Sequence, residues 1–323
     1  TVDRQFLSHL EQDGLSQNNS YVWSDATVAL SDRLRLQVGA RYDLFHFGVT
    51  DKLGAPTAAD SAFGTVVAGS GSRWQRIASP KANLTIIVAR GTDLFIDAGS
   101  GFHSNDARIV VTAAPGFVVL PRAIGAEVGV RRTWSGASVS AAVWGLDLQS
   151  ELTYDADIGT DVTSGPTRRV GIDLEGRVRL LAWLWGDADL SLAHGRYVND
   201  EPGASYIPLA PTAVSSGGLT ARDIGRVSGG VRYRYVDSRP ADSTNSIVAS
   251  GYMLAEVFAR YDLARVSFVA TVDNLFNAPW NEAQFATTSR LKGEPLTGIT
   301  ELNFTPGNPR TIQVGIEYRL HAP

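Results

Sequence analysis

The chain has 323 residues, with 29 basic and 33 acidic side chains for a formal net charge of -4, and it contains no cysteine. That balance lacks the basic excess of a nucleic-acid-binding surface, and without cysteine there is no thiolate catalysis, thiolate metal site or disulfide. Length allows one large β domain or two ordinary ones. The longest apolar stretch, residues 178–185, is interrupted by Arg179 and is far too short for a transmembrane helix. The first residues show no succession of basic, apolar and small-residue regions, so no signal peptide is read there. The chain is expected to be either a mature protein or a piece of something longer.

Residues 1–19 are polar and carry no period. A first strand is predicted over residues 20–29, followed by a tight turn at Ser31-Asp32. In the next strand Leu34, Leu36, Val38, Ala40, Tyr42 and Leu44 alternate with Arg35, Gln37, Gly39, Arg41 and Asp43. A period of two puts the apolar side chains on one face and the polar ones on the other. The run is also about the length that crosses a bilayer at a tilt. After a long segment rich in Gly, Ala, Ser and Asp, strands are predicted over residues 75–88 and 93–102, then 123–133 and 137–151. Further strands follow over 168–181 and 187–197, then 209–220, 225–236 and 250–261. The final pair begins at Val266 and Thr311, which gives about 13 strands in all.

Every second connection is tight, near residues 31, 90, 135, 185, 223 and 263, and the connections between them are long. Short turns on one rim and long loops on the other are the plan of an outer-membrane barrel. Polar faces carry rows of charge, as in Arg169, Asp173, Glu175, Arg177 and Arg179 opposite Val170, Ile172, Leu174, Val178 and Leu180. Such rows suit a polar lumen and would be costly in a packed core. Trp134, Trp183, Trp185 and Tyr261 lie beside the tight turns, while Tyr42, Phe45, Phe47, Trp74 and Tyr197 lie toward the long loops. They are read as two aromatic girdles.

Chemical motifs are few. His9, His46, His103, His194 and His321 share no ligand spacing, so ordinary loop or lumen histidines are expected rather than a metal site. Gly69-Ser-Gly71 and Gly99-Ser-Gly101 do not complete a phosphate-binding pattern. The carboxylate pairs Asp155/Asp157 and Asp187/Asp189 are read as solvated rather than hydrolytic. No catalytic residue and no cofactor are assigned.

The C-terminal motifs say more. Asp273-Asn274-Leu275-Phe276-Asn277, a long loop, Pro306-Gly-Asn-Pro309-Arg310-Thr311 and a final alternating strand resemble the end of TonB-dependent outer-membrane receptors. Ala78-Ser-Pro-Lys81, the run from Gly101 to Arg108, Gly125-Ala-Glu-Val-Gly129 and Arg168-Arg-Val-Gly-Ile-Asp173 resemble that family's barrel, in matching order. Leu320 stands where the family usually has a terminal Phe.

The resemblance implies an all-β, antiparallel transmembrane barrel of about 22 strands behind an N-terminal plug domain. Residues 1–323 then form the C-terminal portion of the barrel, roughly strands 10 to 22, without the plug. It implies a receptor rather than an enzyme, placed in the outer membrane of a Gram-negative cell. Its partners are outer-membrane lipid, the barrel-assembly machinery, a small-molecule ligand, and the TonB–ExbB–ExbD complex acting through the missing N-terminal part. Ligand contacts are expected from His103, Asn105, Asp106, Arg108, Trp280 and Phe285. The family motif and assembly residues are Asp273, Asn274, Leu275, Phe276, Pro309, Arg310, Tyr318 and Leu320. Phe268, Val272, Ile312, Ile316 and Tyr318 are expected to face lipid, with Asp273, Gln313, Glu317 and Arg319 toward the lumen. Energy-coupled uptake of a ferric siderophore, vitamin or oligosaccharide leads. A passive channel of about 14 strands, closed by residues 1–13, and a barrel hydrolase stay open.

Overall fold

The computed structural model describes residues 12–52, 69–155 and 160–320. Strands β1 (Asp13–Ser31), β2 (Leu34–Asp51), β3 (Gly71–Ala89) and β4 (Thr92–Phe102) precede a short helix, α1 (Ala107–Thr112). β5 (Arg122–Trp134) and β6 (Ala137–Leu148) follow, then β7 (Leu152–Asp155) and β8 (Thr160–Thr163). Next come β9 (Thr167–Arg179), β10 (Leu184–Tyr197), β11 (Ala213–Ile224) and β12 (Val227–Val236). After them are β13 (Arg239–Pro240), β14 (Val248–Ala249), β15 (Tyr252–Asp262) and β16 (Val266–Asp273). The last elements are β17 (Asn281–Ser289), β18 (Ile299–Pro306) and β19 (Thr311–Tyr318).

A 13-stranded sheet runs in the order β1-β2-β3-β4-β5-β6-β9-β10-β11-β12-β15-β16-β19. The other strands pair among themselves as β7-β8, β13-β14 and β17-β18. Main-sheet neighbours are joined by residues 32–33, 90–91, 135–136, 180–183, 225–226 and 263–265 at one set of connections. The alternate connections, 52–70, 103–121, 149–166, 198–212, 237–251 and 274–310, are long, and the helix and the three small hairpins lie in them. This is the sorting of loops expected from the sequence.

Several boundaries differ from those expected. Residues 13–19, read as unpatterned, belong to β1, which is exposed on both faces along nearly its whole length and so needed no apolar alternation. Residues 1–11 lie outside the described part. β11 starts at Ala213 rather than 209, because Leu209 has φ of 60° and ends a bend. The turn placed at Asp223 falls at residues 225–226.

The chain divides into two compact units, one of residues 1–28, 36–83 and 98–124 and another of residues 29–35, 84–97 and 125–323. In the first, Phe45, Phe47 and Val49 of β2 and Ile77 of β3 are buried with Ala107, Val110, Val119 and Leu120. The helix forms because Asp106 caps it, accepting from the Arg108 amide at 2.8 Å, and it buries Ala107 and Val110 on that cluster. Phe45 stacks on Phe47 at 5.6 Å and meets Phe102 edge-on at 5.7 Å. Phe45 and Phe47 are therefore core residues and not part of a girdle. Tyr197 of the other unit is likewise buried, whereas Tyr42 and Trp74 are exposed.

In the second unit the strand registers align an apolar row across neighbouring strands: Ala137, Val178, Gly186, Leu219, Val231, Val257, Val272 and Ile312. One residue along, the opposite face carries Ser138, Arg177, Asp187, Gly218, Arg232 and Glu256. Phe268, Ile312, Val314, Ile316 and Tyr318 are exposed large apolar side chains on the first face. A broad exposed apolar face backed by a charged one is what a sheet between hydrocarbon and an aqueous lumen requires.

Candidate functional site

The polar face of the second unit is built from ion pairs that cross strands. Arg232 of β12 donates to both carboxylate oxygens of Asp187 on β10, at 2.9 and 3.2 Å. β11 lies between them, and the guanidinium can cross it because the intervening residue is Gly218. A Cβ there would meet Arg232 Cγ at 3.0 Å and the Val231 carbonyl at 2.4 Å. Arg177 lies with its guanidinium 5.3 Å from the ring centre of Trp185. Near the short connections Arg260 pairs with Asp262 at 2.9 Å and Glu317 at 2.7 Å, and it donates to the buried Ser267 hydroxyl at 2.7 Å. Arg319 reaches Asp262 at 3.2 Å, so β15, β16 and β19 are clasped by one network.

Toward the long connections the same face opens into a cavity of about 540 Å³, whose lining includes Arg232, Arg234, Glu256, Asp273, Trp280 and Gln313. Arg234 lies 5.5 Å from the ring centres of both Tyr252 and Trp280, and the two rings are 5.0 Å apart. A guanidinium held against two aromatic rings offers charge and π-surface together.

The C-terminal motifs build one wall of this cavity. Asn274 and Asn277 take φ of 48° and 52°, a region that asparagine tolerates better than most residues. The Asn274 side chain accepts from the Ala278 amide at 2.9 Å and donates to the carbonyls of Ala278 at 2.9 Å and Asn308 at 3.2 Å. Asn277 Oδ1 accepts from the Arg310 amide at 2.9 Å. Trp280 Nε1 donates to the Asn308 carbonyl at 3.0 Å, and its ring lies so flat on Gly307 that a Cβ there would sit 2.0 Å from it. The glycine of the Pro306-to-Thr311 motif is therefore a seat for Trp280. Gln284, fully buried on β17, clamps the Ser250 main chain through its amide at 2.9 and 2.8 Å.

In the 237–251 connection two carboxylates, Asp237 and Asp242, are held below their usual range. Asp237 is drawn below the usual carboxylate range by the Thr212 hydroxyl, against some desolvation, with help from the Ser238 amide and Tyr235. Burial pushes Asp242 up, but the Ser246 hydroxyl and the Ser246 and Ile247 amides leave it lowered overall. Among the described residues no cluster of three or more His, Asp or Glu side chains is placed to hold a metal.

A sequence model described as TonB dependent receptor-like, beta-barrel matches residues 8–275. The chain belongs to this family. Solved TonB-dependent receptors share its fold. The ferric yersiniabactin uptake receptor FyuA of Yersinia pestis superposes with a TM-score of 0.71 at 14% identity, over 95% of this chain and 46% of that one. The siderophore receptor PiuA of Acinetobacter baumannii gives 0.73 at 12% identity, over 95% and 44%. The ferric-catecholate import receptor Fiu of E. coli K12, in its closed form, gives 0.74 at 16% identity, over 97% and 46%. The chain thus spans less than half the length of these receptors. No curated protein sequence matches it.

Within this receptor barrel the residues singled out from sequence fall in four places. Asp273, Asn274, Trp280 and Pro309 line the cavity, and Leu275 and Arg310 tie its wall through their amides to Ala255 and Asn277. Phe276 is 75% exposed, and Tyr318 and Leu320 stand exposed at the far end of β19. Phe285 sits on β17 opposite Asn303 and does not line the cavity. His103, Asn105, Asp106 and Arg108 belong to the first unit. There Asn105, 2% exposed, donates to the Val118 carbonyl at 2.9 Å. Arg108 pairs bidentately with Asp106, at 2.8 and 2.9 Å, holding its carboxyl below the usual range. The His103 amide donates to the Pro121 carbonyl at 3.2 Å. These contacts shape the 103–121 connection itself. Sequence reading missed Arg234 and Tyr252, whose only signal was a place on the polar face of β12 and at the start of β15.

Proposed function

We propose that this chain is the ligand-contacting barrel portion of an outer-membrane receptor that takes up a scarce ligand with energy delivered through TonB. The observation that carries the reading is the family match over residues 8–275, joined to a sheet whose short and long connections alternate without exception. An iron-siderophore complex is the ligand class favoured, because the neighbours in fold include receptors named for ferric yersiniabactin and ferric catecholate. The Arg234–Tyr252–Trp280 cluster suits a large anionic chelate with aromatic rings. In this reading Trp280 touches the ligand, while Asn105, Asp106 and Arg108 hold the shape of a connection that faces the cell exterior. The apolar face meets outer-membrane lipid, and the exposed end of β19 with Tyr318 and Leu320 is offered to the barrel-assembly machinery.

The test is uptake by cells carrying the gene with its natural flanking sequence, in a strain deleted for it, across a panel of iron-loaded siderophores. Saturable uptake of one of them, abolished by a protonophore and weakened by Trp280→Ala, is expected. Unselective permeation that ignores the protonophore would instead identify a passive channel.

A further inference from the structure

The exposed apolar face of the second unit is not uniform. A groove of about 580 Å³ is floored by Gly176 and Ala188 and walled by Val139, Leu174, Leu190 and Tyr233, with Arg132 also in its lining. Ser140, Glu175 and Asp189 reach it through the main chain, since by register their side chains belong to the polar face. The groove exists because small residues follow one another across adjacent strands, Gly176 beside Ala188 and Ala188 beside Gly217, between rows of larger ones. The Ser215 and Tyr233 hydroxyls satisfy each other, lying 2.9 Å apart.

Arg132 does not fit an apolar face. Val128, Val130 and Trp134, at even spacing along β5, are exposed on the same face of the strand. Arg131 points the other way, toward Phe95, with its guanidinium 5.6 Å from that ring. Arg132, like Arg177 and Arg234, makes no ion pair among the described residues, but those two lie on the polar face against aromatic rings, whereas Arg132 lies on the apolar face. Its guanidinium lies 5.9 Å from the Trp134 ring, just before the tight turn at Ser135-Gly136. An arginine facing hydrocarbon is costly unless it reaches the interface and meets a counter-charge.

We propose that this groove and Arg132 form a site for one anionic glycerophospholipid of the periplasmic leaflet, an acyl chain in the groove and the phosphate on the guanidinium. The proposal rests on the outer-membrane reading above. The leaflet follows from the tight turns, which lie on the periplasmic side of such barrels. Surrounding tails are as apolar as the groove, so filling it supplies packing rather than hydrophobic gain. What selects the lipid is the charge of Arg132 in the lining of the groove.

The experiment uses the full receptor, purified in detergent from outer membranes, checked for a heat-modifiable fold and titrated in native mass spectrometry. Phosphatidylglycerol, phosphatidylcholine and lipopolysaccharide are the probes, and Arg132→Gln and Ala188→Leu are the variants. One phosphatidylglycerol is expected to bind in preference to the other two. Arg132→Gln is expected to weaken it about fivefold, the effect of one cation at a membrane surface, and Ala188→Leu is expected to weaken both phospholipids by filling the groove. Equal binding of phosphatidylglycerol to wild type and Arg132→Gln, both heat-modifiable, would overturn the site alone. Preference for lipopolysaccharide would overturn the leaflet and with it the proposal. A wild-type protein absent from the outer membrane would overturn the membrane reading and the site together.

Discussion

Val314→Arg is expected to deplete the folded, heat-modifiable barrel, while Gln313→Arg, one residue earlier, leaves it near the wild-type amount. Val314 lies midway along β19 with 82% of its surface exposed on the apolar face, paired with Ala270 of β16. On the outer-membrane reading proposed above, an arginine there meets hydrocarbon near the midplane, where the cost is about 2–4 kcal/mol. Gln313 lies on the other face and donates to Asp273 at 3.2 Å. A cation in its place joins a wall that already carries Asp273 and Glu256, so it faces water and acidic neighbours. Seminative electrophoresis of outer membranes, with and without heating, measures the difference. Equal depletion by both substitutions would mean that the two faces are wrongly assigned.

Phe47→Ala is expected to loosen the first unit. Phe47 has no exposed surface and stacks on Phe45, beneath α1 and the segment carrying Val119 and Leu120. Truncating a fully buried Phe costs about 3–5 kcal/mol, part of it from the cavity left behind. The loss is expected to fall on α1, whose Val110 amide donates to Asp106 at 3.0 Å. Hydrogen exchange of residues 107–112 reads it: fast exchange in Phe47→Ala and unchanged protection in Tyr42→Ala, since Tyr42 is exposed. Unchanged protection in both would show that the cluster does not hold the helix.

The strands were legible wherever two faces meet different media. Leu34 to Leu44 and Ile312 to Tyr318 alternate because one side faces apolar surroundings and the other does not, and a period of two survives any error in the boundaries. The alternation fails where the surroundings change along a strand. At Leu44-Phe45 the apolar side chains switch faces, because Phe45, Phe47 and Val49 are covered by a folded-back connection rather than by water. A switch of parity inside one strand is the trace of that cover, and reading it as an aromatic girdle missed it.

The small elements of the connections were invisible for another reason. α1 spans Ala107–Thr112, too short for a 3.6-residue period to declare itself, and its signal is the Asp106 cap alone. The hairpin of β17 and β18 is held by pairs such as Thr288 with Thr300 and Asn303 with Thr287, so it has no apolar face to announce it. Of the cavity, the motif residues Asp273, Asn274 and Pro309 could be named from sequence. The partners Arg234 and Tyr252 could not, because only the register of β12 on β15 brings Arg234 opposite Leu254 and close to both rings.

The sidedness of the connections underlies the cavity, the lipid groove and the transport reading alike. Single cysteines at Ser70 and Lys292, in two long connections, and at Ser135, in a tight turn, can be treated with an impermeant maleimide on intact cells carrying the full receptor. Cysteine at Ser70 and at Lys292 is expected to label, and cysteine at Ser135 to label only after the outer membrane is opened. Labelling at Ser135 with protection of the other two would contradict the topology.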